Sequence, residues 1–232
     1  MKQFLILLLT VFTLVSCDQT TGSGNIVTET REAGSFDAIS VGGSFEVEVK
    51  IGAVTSVKVE ADDNIIKYIE TKVSGNILKI STEDLHNYSD VHMKVYVTAP
   101  AITNIKASAS ADVIAESILT GSDRLAFKVS SSASIKAEVD APEIETEASS
   151  SATITLTGKT KTHKTKASSS AEIKTFGLLS ENTSAHASSS ADIEVHASVT
   201  LNAKASSSAS VRYRGAATVT KSESSSGTVS QE

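Results

Sequence analysis

An eight-residue motif recurs seven times between Lys106 and Val229, and this recurrence limits what the chain can fold into more than any other feature. It runs polar residue, Ala or Val, three small residues that are mostly Ser, Ala, polar residue, then Ile or Val, with successive copies 22, 19, 19, 20, 18 and 18 residues apart. An earlier copy reads Ser40-Val41-Gly42-Gly43-Ser44-Phe45-Glu46-Val47. Between copies apolar and polar residues alternate, as in Ile135-Lys136-Ala137-Glu138-Val139 and Leu201-Asn202-Ala203-Lys204-Ala205. That is strand periodicity. A repeat this short cannot bury an apolar face alone, but stacking equivalent strands coil upon coil buries it continuously. The expectation is an all-β fold: a parallel β-helix (solenoid) with Ser-rich coils of about 19 residues. Strands about 4.8 Å apart would give seven such coils a rise of roughly 30 Å.

Stacked coils place equivalent side chains in columns. Val113, Ile135, Ile154, Ile173, Ile193, Val211 and Val229 form the expected spine of the core, where β-branched residues pack well. The column Ala111, Ala133, Ala152, Ala171, Ala191, Ala209 and Gly227 stays small, as a tight interior corner requires. Aromatics are only 4% of the chain and Trp is absent, which suits a thin layered core of small side chains. Two Ser positions do not vary across the motif, and alternation turns both outward. In the five regular copies they are Ser130 and Ser132, Ser149 and Ser151, Ser168 and Ser170, Ser188 and Ser190, and Ser206 and Ser208. Three readings stand open: a hydroxyl ladder between coils, hydroxyls serving corner backbone groups, or a strip that binds a repetitive ligand.

The first half of the chain has longer alternating strands, such as Ser44 to Ile51 and Val91 to Val97. Asp62 to Glu70 reads as a short helix with an acidic first turn. Val73-Ser74-Gly75-Asn76-Ile77 carries a hairpin turn signal. Pro100 marks a seam, so residues 26–100 form an N-terminal β half that packs on and caps the repeats of residues 101–232.

The first seventeen residues have their own logic. One positive charge at Lys2, an apolar run from Phe4 to Leu14 and a polar break after Cys17 have the layout of a secretory signal. The apolar run is too short to span a bilayer, which takes about 20 residues. Leu14-Val15-Ser16-Cys17 resembles the lipobox of bacterial lipoproteins. The resemblance implies a signal peptide over residues 1–16 and lipidation at Cys17, the sole cysteine. It also implies attachment to a membrane of the cell envelope, the outer membrane being the expected one. Residues 17–25 then read as a tether.

Ser23 to Arg31, Phe36 to Gly43, Val57 to Asn64 and Gly75 to Ile80, together with the Ser-rich copies, resemble the putative auto-transporter adhesin head GIN domain family. The likeness spans about residues 25 to 230. It implies a right-handed β-helix of secreted proteins and lipoproteins, common in the Bacteroidetes, and brings no catalytic residues. Here Ser-Ser-Ser stands where Ser-Gly-Ser-Gly types are frequent, which bears on corner conformation because Gly accepts positive φ freely.

A formal charge of -6 without a basic run argues against nucleic acid. No His pair among His86, His92, His163, His186 and His196 has zinc-site spacing, so neither metal nor cofactor is expected. His163 faces inward by alternation, as a satisfied core histidine; His186 shares a solvated column with Lys128, Glu147, Lys166 and Lys204. Glu172 and Asp192 fall on adjacent coils, but no Gly-x-Ser-x-Gly or calcium nonapeptide accompanies them. A solvated face is the simpler reading. The chain therefore reads as a non-catalytic, envelope-anchored binding module whose partner is an envelope protein or a surface glycan. A structural or assembly protein is the alternative, and a polysaccharide-active β-helix enzyme comes third.

Overall fold

The computed structural model describes residues 19–83 and 87–232. Residues 1–18, on which the expected signal peptide and the lipidation at Cys17 fall, lie outside the described residues, as does His86. Among the described residues everything regular is β-strand apart from one 3-10 turn at Ile66–Tyr68.

The coils stack as parallel strands in the register set by the motif. Ile135 pairs with Ile154, Ile154 with Ile173, Ile173 with Ile193, and Ile193 with Val211. The same column continues through Val113 to Val47 and Val95. Its members are at most 1% exposed up to Val211, and Val229 on the last coil is 6% exposed. The earlier motif copy is confirmed, since Val41 lies opposite Ala107 and Val47 opposite Val113.

Each coil has two main faces meeting at the Ser motif. The face before it holds strands such as Arg124–Val129 and Thr200–Ser206; the face after it holds strands such as Glu172–Thr175 and Asp192–His196. A short third side carries the Leu119, Val139, Gly158 and Leu178 register. In the middle coils one 15-residue strand runs from the second face through the third to the first: Ser134–Ala148, then Thr153–Ala167. Gly158 permits the bend. Its φ is +115°, and a Cβ there would lie 2.0 Å from the Val139 carbonyl oxygen.

The N-terminal half extends the same sheets. Ala38–Gly42 and Glu46–Ile51 form a first coil, parallel to Asn104–Ser108 and Asp112–Ala115. Beyond it the pairing turns antiparallel: Ser56–Asp62 runs against both Met93–Ala99 and Ile26–Arg31. On the other face Ile69–Ser74 and Ile77–Thr82 form the expected hairpin, with Gly75 at φ +64°. One apolar cluster runs unbroken from Phe36 to Val229.

The helix expected over Asp62 to Glu70 is instead a single 3-10 turn. A nine-residue segment scarcely recovers the cost of helix nucleation, and Ile65, Ile66 and Ile69 drop into the core at 0, 4 and 3% exposure. Residues 19–25 lie against the body: Gln19–Thr21 pairs in parallel with Asn87–Ser89, Ser23 Oγ donates to Asp63, and Gly24 N–H donates to Asp62.

Candidate binding surface

The Ser motif is a left-handed corner. In five copies the second and third serines have φ between +53° and +63°, as in Ser131 (54°) and Ser132 (63°). The carbonyl of the first Ser accepts the N–H of the Ala three residues on, for example Ser130 from Ala133 at 3.2 Å. This closes a two-residue turn of the kind that normally takes Asn-Gly. Coils are then joined at the corner by backbone: Ser132 N–H to Ser150 O, Ser151 to Ser169, Ser170 to Ser189 and Ser190 to Ser207, each at 3.0 Å. The ladder is therefore made of amides. Among the described residues no hydroxyl bond links the Ser columns to one another, and of the columns' hydroxyls only Ser108 Oγ is bonded, to the Val41 carbonyl. Ser132, Ser151, Ser170, Ser190 and Ser208 are exposed; Ser130, Ser149, Ser168, Ser188 and Ser206 are half-buried on the edge of the first face.

A non-glycine residue in the left-handed region costs about 1–2 kcal/mol, and glycine returns part of that through unfolded-state entropy. Ser150→Gly is thus expected to raise stability by about 0.5 kcal/mol, whereas Ser150→Val, β-branched at positive φ, is expected to cost about 2 kcal/mol. Urea midpoints of the two variants check this, and equal midpoints would contradict the corner geometry.

Charge is sorted across that edge. On the first face one outward column reads Lys72, Lys79, Ser40, Lys106, Lys128, Glu147, Lys166, His186, Lys204, Ser222. Lys72 and Lys79 come from the N-terminal hairpin, outside the repeat, so the motif alone could not place them. Lys128 pairs with Glu147 at 2.8 Å, and the flanking Arg124 and Lys164 pair with Glu145 at 2.7 Å and Glu143 at 2.9 Å. Across the Ser edge, the column on the second face carries Glu46, Asp112, Glu172 and Asp192. Glu172 and Asp192 are adjacent as expected. Each carboxylate has its own partner: Lys174 at 2.9 Å for Glu172, and the Ser210 hydroxyl for Asp192. No group of three His, Cys, Asp or Glu among the described residues is placed to hold a metal.

The interior of the middle coils is more polar than the alternation suggested. His163 is 0% exposed, stacked between Ile144 and Thr183, with Nε2 3.1 Å from Thr146 Oγ1. Its Nδ1 has no partner, so this core histidine is only half satisfied. Desolvation lowers its pKa to about 3. Thr175, Ser180 and Thr183 are also buried, and their hydroxyls donate to the carbonyls of Glu194 and His196. These bonds satisfy backbone groups where coils turn between faces.

Comparison with solved structures shows the same fold elsewhere. A putative adhesin from Bacteroides fragilis superposes with a TM-score of 0.84 at 20% identity, covering 91% of this chain and 98% of that one. A putative adhesin from Parabacteroides merdae gives 0.73 at 20% identity over 93% and 99%. A protein from Parabacteroides distasonis described as a putative lipid binding protein gives 0.76 at 20% identity over 93% and 100%. No curated protein matches the chain. The sequence model of one family matches residues 35–217, from the first coil to the last but one. With its stacked coils and repeated corner, the chain belongs to the family described as putative auto-transporter adhesin, head GIN domain.

Proposed function

We propose that this protein is a lipid-anchored binding module of the cell envelope, held through Cys17 and presenting the solenoid as a non-catalytic surface. The observation that carries the reading is repetition on the outside as well as the inside: successive coils offer the same exposed Ser pair and an in-register column of charge. A surface with one geometry at every coil suits a partner that is itself repetitive or multiply contacted, whereas an active site needs one place unlike the rest. Adhesin-family membership supports a surface or envelope location. The Leu14-Val15-Ser16-Cys17 sequence supports the anchor, with several acyl chains needed for stable attachment.

Cell fractionation tests the anchor. The wild-type chain is expected in the membrane fraction, and Cys17→Ala is expected to move most of it to the soluble fraction. Protease added to whole cells should remove the wild-type solenoid. A Cys17→Ala chain that stays with the membrane would refute anchoring at this residue.

A further inference from the structure

The lysine column on the first face is a second kind of repeat. Six lysines occupy it against the single carboxylate of Glu147, on a chain whose formal charge is -6. The acidic excess therefore lies elsewhere, part of it across the Ser edge. Lys79, Lys106, Lys166 and Lys204 enter no ion pair among the described residues, whereas Arg124 and Lys164 beside the column are paired with glutamates. What remains is a single file of free ammonium groups along the solenoid axis. His186 registers the local field: burial, then Lys204, then Lys166, lower its pKa.

The spacing narrows the partner. Lys166 and Lys204 are two rungs apart and Lys106 and Lys166 three, or roughly 10 and 14 Å at the usual strand separation. The half-buried serines, two residues on from each column position, set hydroxyls beside the file on the same side. A depression of about 350 Å³ opens over the small side chain of Ala126, bordered by five cations, Lys106, Arg124, Lys128, Lys164 and Lys166, against the two carboxylates of Glu145 and Glu147. A narrow cationic line, a flanking row of hydroxyls and a ring-sized notch match an extended sugar chain with regularly spaced acidic groups. A flat bilayer would press anionic headgroups on the whole face, Glu143 included, whereas a single chain can follow one column. A single-stranded nucleic acid would need aromatic platforms for its bases, and the lysine column contains none.

We propose that the lysine column and the serine row beside it bind a linear anionic polysaccharide, carrying sulfate or carboxylate groups, laid along the solenoid axis. This rests on the binding-module reading, but its test uses purified protein and so is independent of anchoring. The full chain, purified in detergent, is titrated with dextran sulfate, polygalacturonate, neutral dextran, phosphatidylglycerol vesicles and a single-stranded oligonucleotide. The two anionic polysaccharides are expected to bind and neutral dextran not to, with affinity falling steeply as salt rises. The triple variant Lys106→Ala, Lys166→Ala, Lys204→Ala is expected to lose at least tenfold in affinity with its melting temperature unchanged. Lys136→Ala, Lys159→Ala, Lys174→Ala, on the other sides of the solenoid, is expected to stay within twofold of wild type. Absence of polysaccharide binding, equal losses in the two triples, or binding confined to vesicles or oligonucleotide would each overturn the proposal.

Discussion

Lowering the pH from 7 to 4.5 is expected to remove about 2–3 kcal/mol of folding stability through His163 alone. The imidazole is fully buried among Ile144, Thr146 and Thr183, and no charged group faces it from the strands on either side. Desolvation holds its pKa at about 3, well below the usual imidazole value of 6.5. The folded pKa is the lower one, so the unfolded chain binds the extra proton. Stability is fully present above about pH 6.5 and is lost progressively as pH falls toward 3. His186, whose pKa burial and two lysines also lower, adds a loss of the same sign. His163→Leu isolates the buried residue. At pH 7 its cost is expected to be about 1–2 kcal/mol, because the buried Thr146 hydroxyl loses its partner while the unpartnered Nδ1 is removed. At pH 4.5 the variant is expected to be the more stable protein. Urea unfolding of both proteins at the two pH values decides it. Equal losses on acidification would mean that His163 is hydrated or protonated in the folded state.

The spine and the corner differed in how far the sequence could reveal them. Register followed from side-chain pattern because a one-residue slip would expose Ile135, Ile154, Ile173 and Ile193 together. The antiparallel extension beyond the first coil has no such repeat to mark it: the strand over Val91 to Val97 and the Gly75-Asn76 turn were readable in advance, but the antiparallel pairing of Ser56–Asp62 was not. The corner misled for a physical reason. Alternation assumes extended backbone, and it fails where two successive residues turn left-handed, as at Ser131 and Ser132. The invariance of the first and third serines of the motif suggested hydroxyl chemistry, yet the coil-to-coil bonds at the corner belong to backbone amides and carbonyls. The lysine column was visible only from Lys128 to Lys204, since Lys72 and Lys79 join it by hairpin pairing rather than by repetition. The polar interior was the least legible part. Thr175 and Thr183 sit at inward positions of the alternation, and nothing in it shows that they face carbonyls left over at a bend.

Ile154→Ala is expected to cost about 3–4 kcal/mol, near the middle of the range for buried Ile truncations. The spine is a one-dimensional stack, and Ile154 lies in its interior with Ile135 on one side and Ile173 on the other. It is 0% exposed. The rigid paired strands around it cannot collapse into the vacated space, since fourteen rungs, interrupted at Pro142, hold Ser134–Ala148 against Thr153–Ala167. A void there removes contacts from two interfaces at once. Val229 ends the same column, pairs only with Val211 and is 6% exposed, so Val229→Ala is expected to cost about 1 kcal/mol. In a repeat stack where each coil touches only its neighbours, the central loss also weakens the coupling between the two halves. Hydrogen exchange in Ile154→Ala should therefore show the coils after Gly158 opening ahead of the N-terminal half, while Val229→Ala should fray only the last coil. If the two truncations cost the same, or exchange speeds up evenly along the chain, the continuous dry stack is not what holds the coils together.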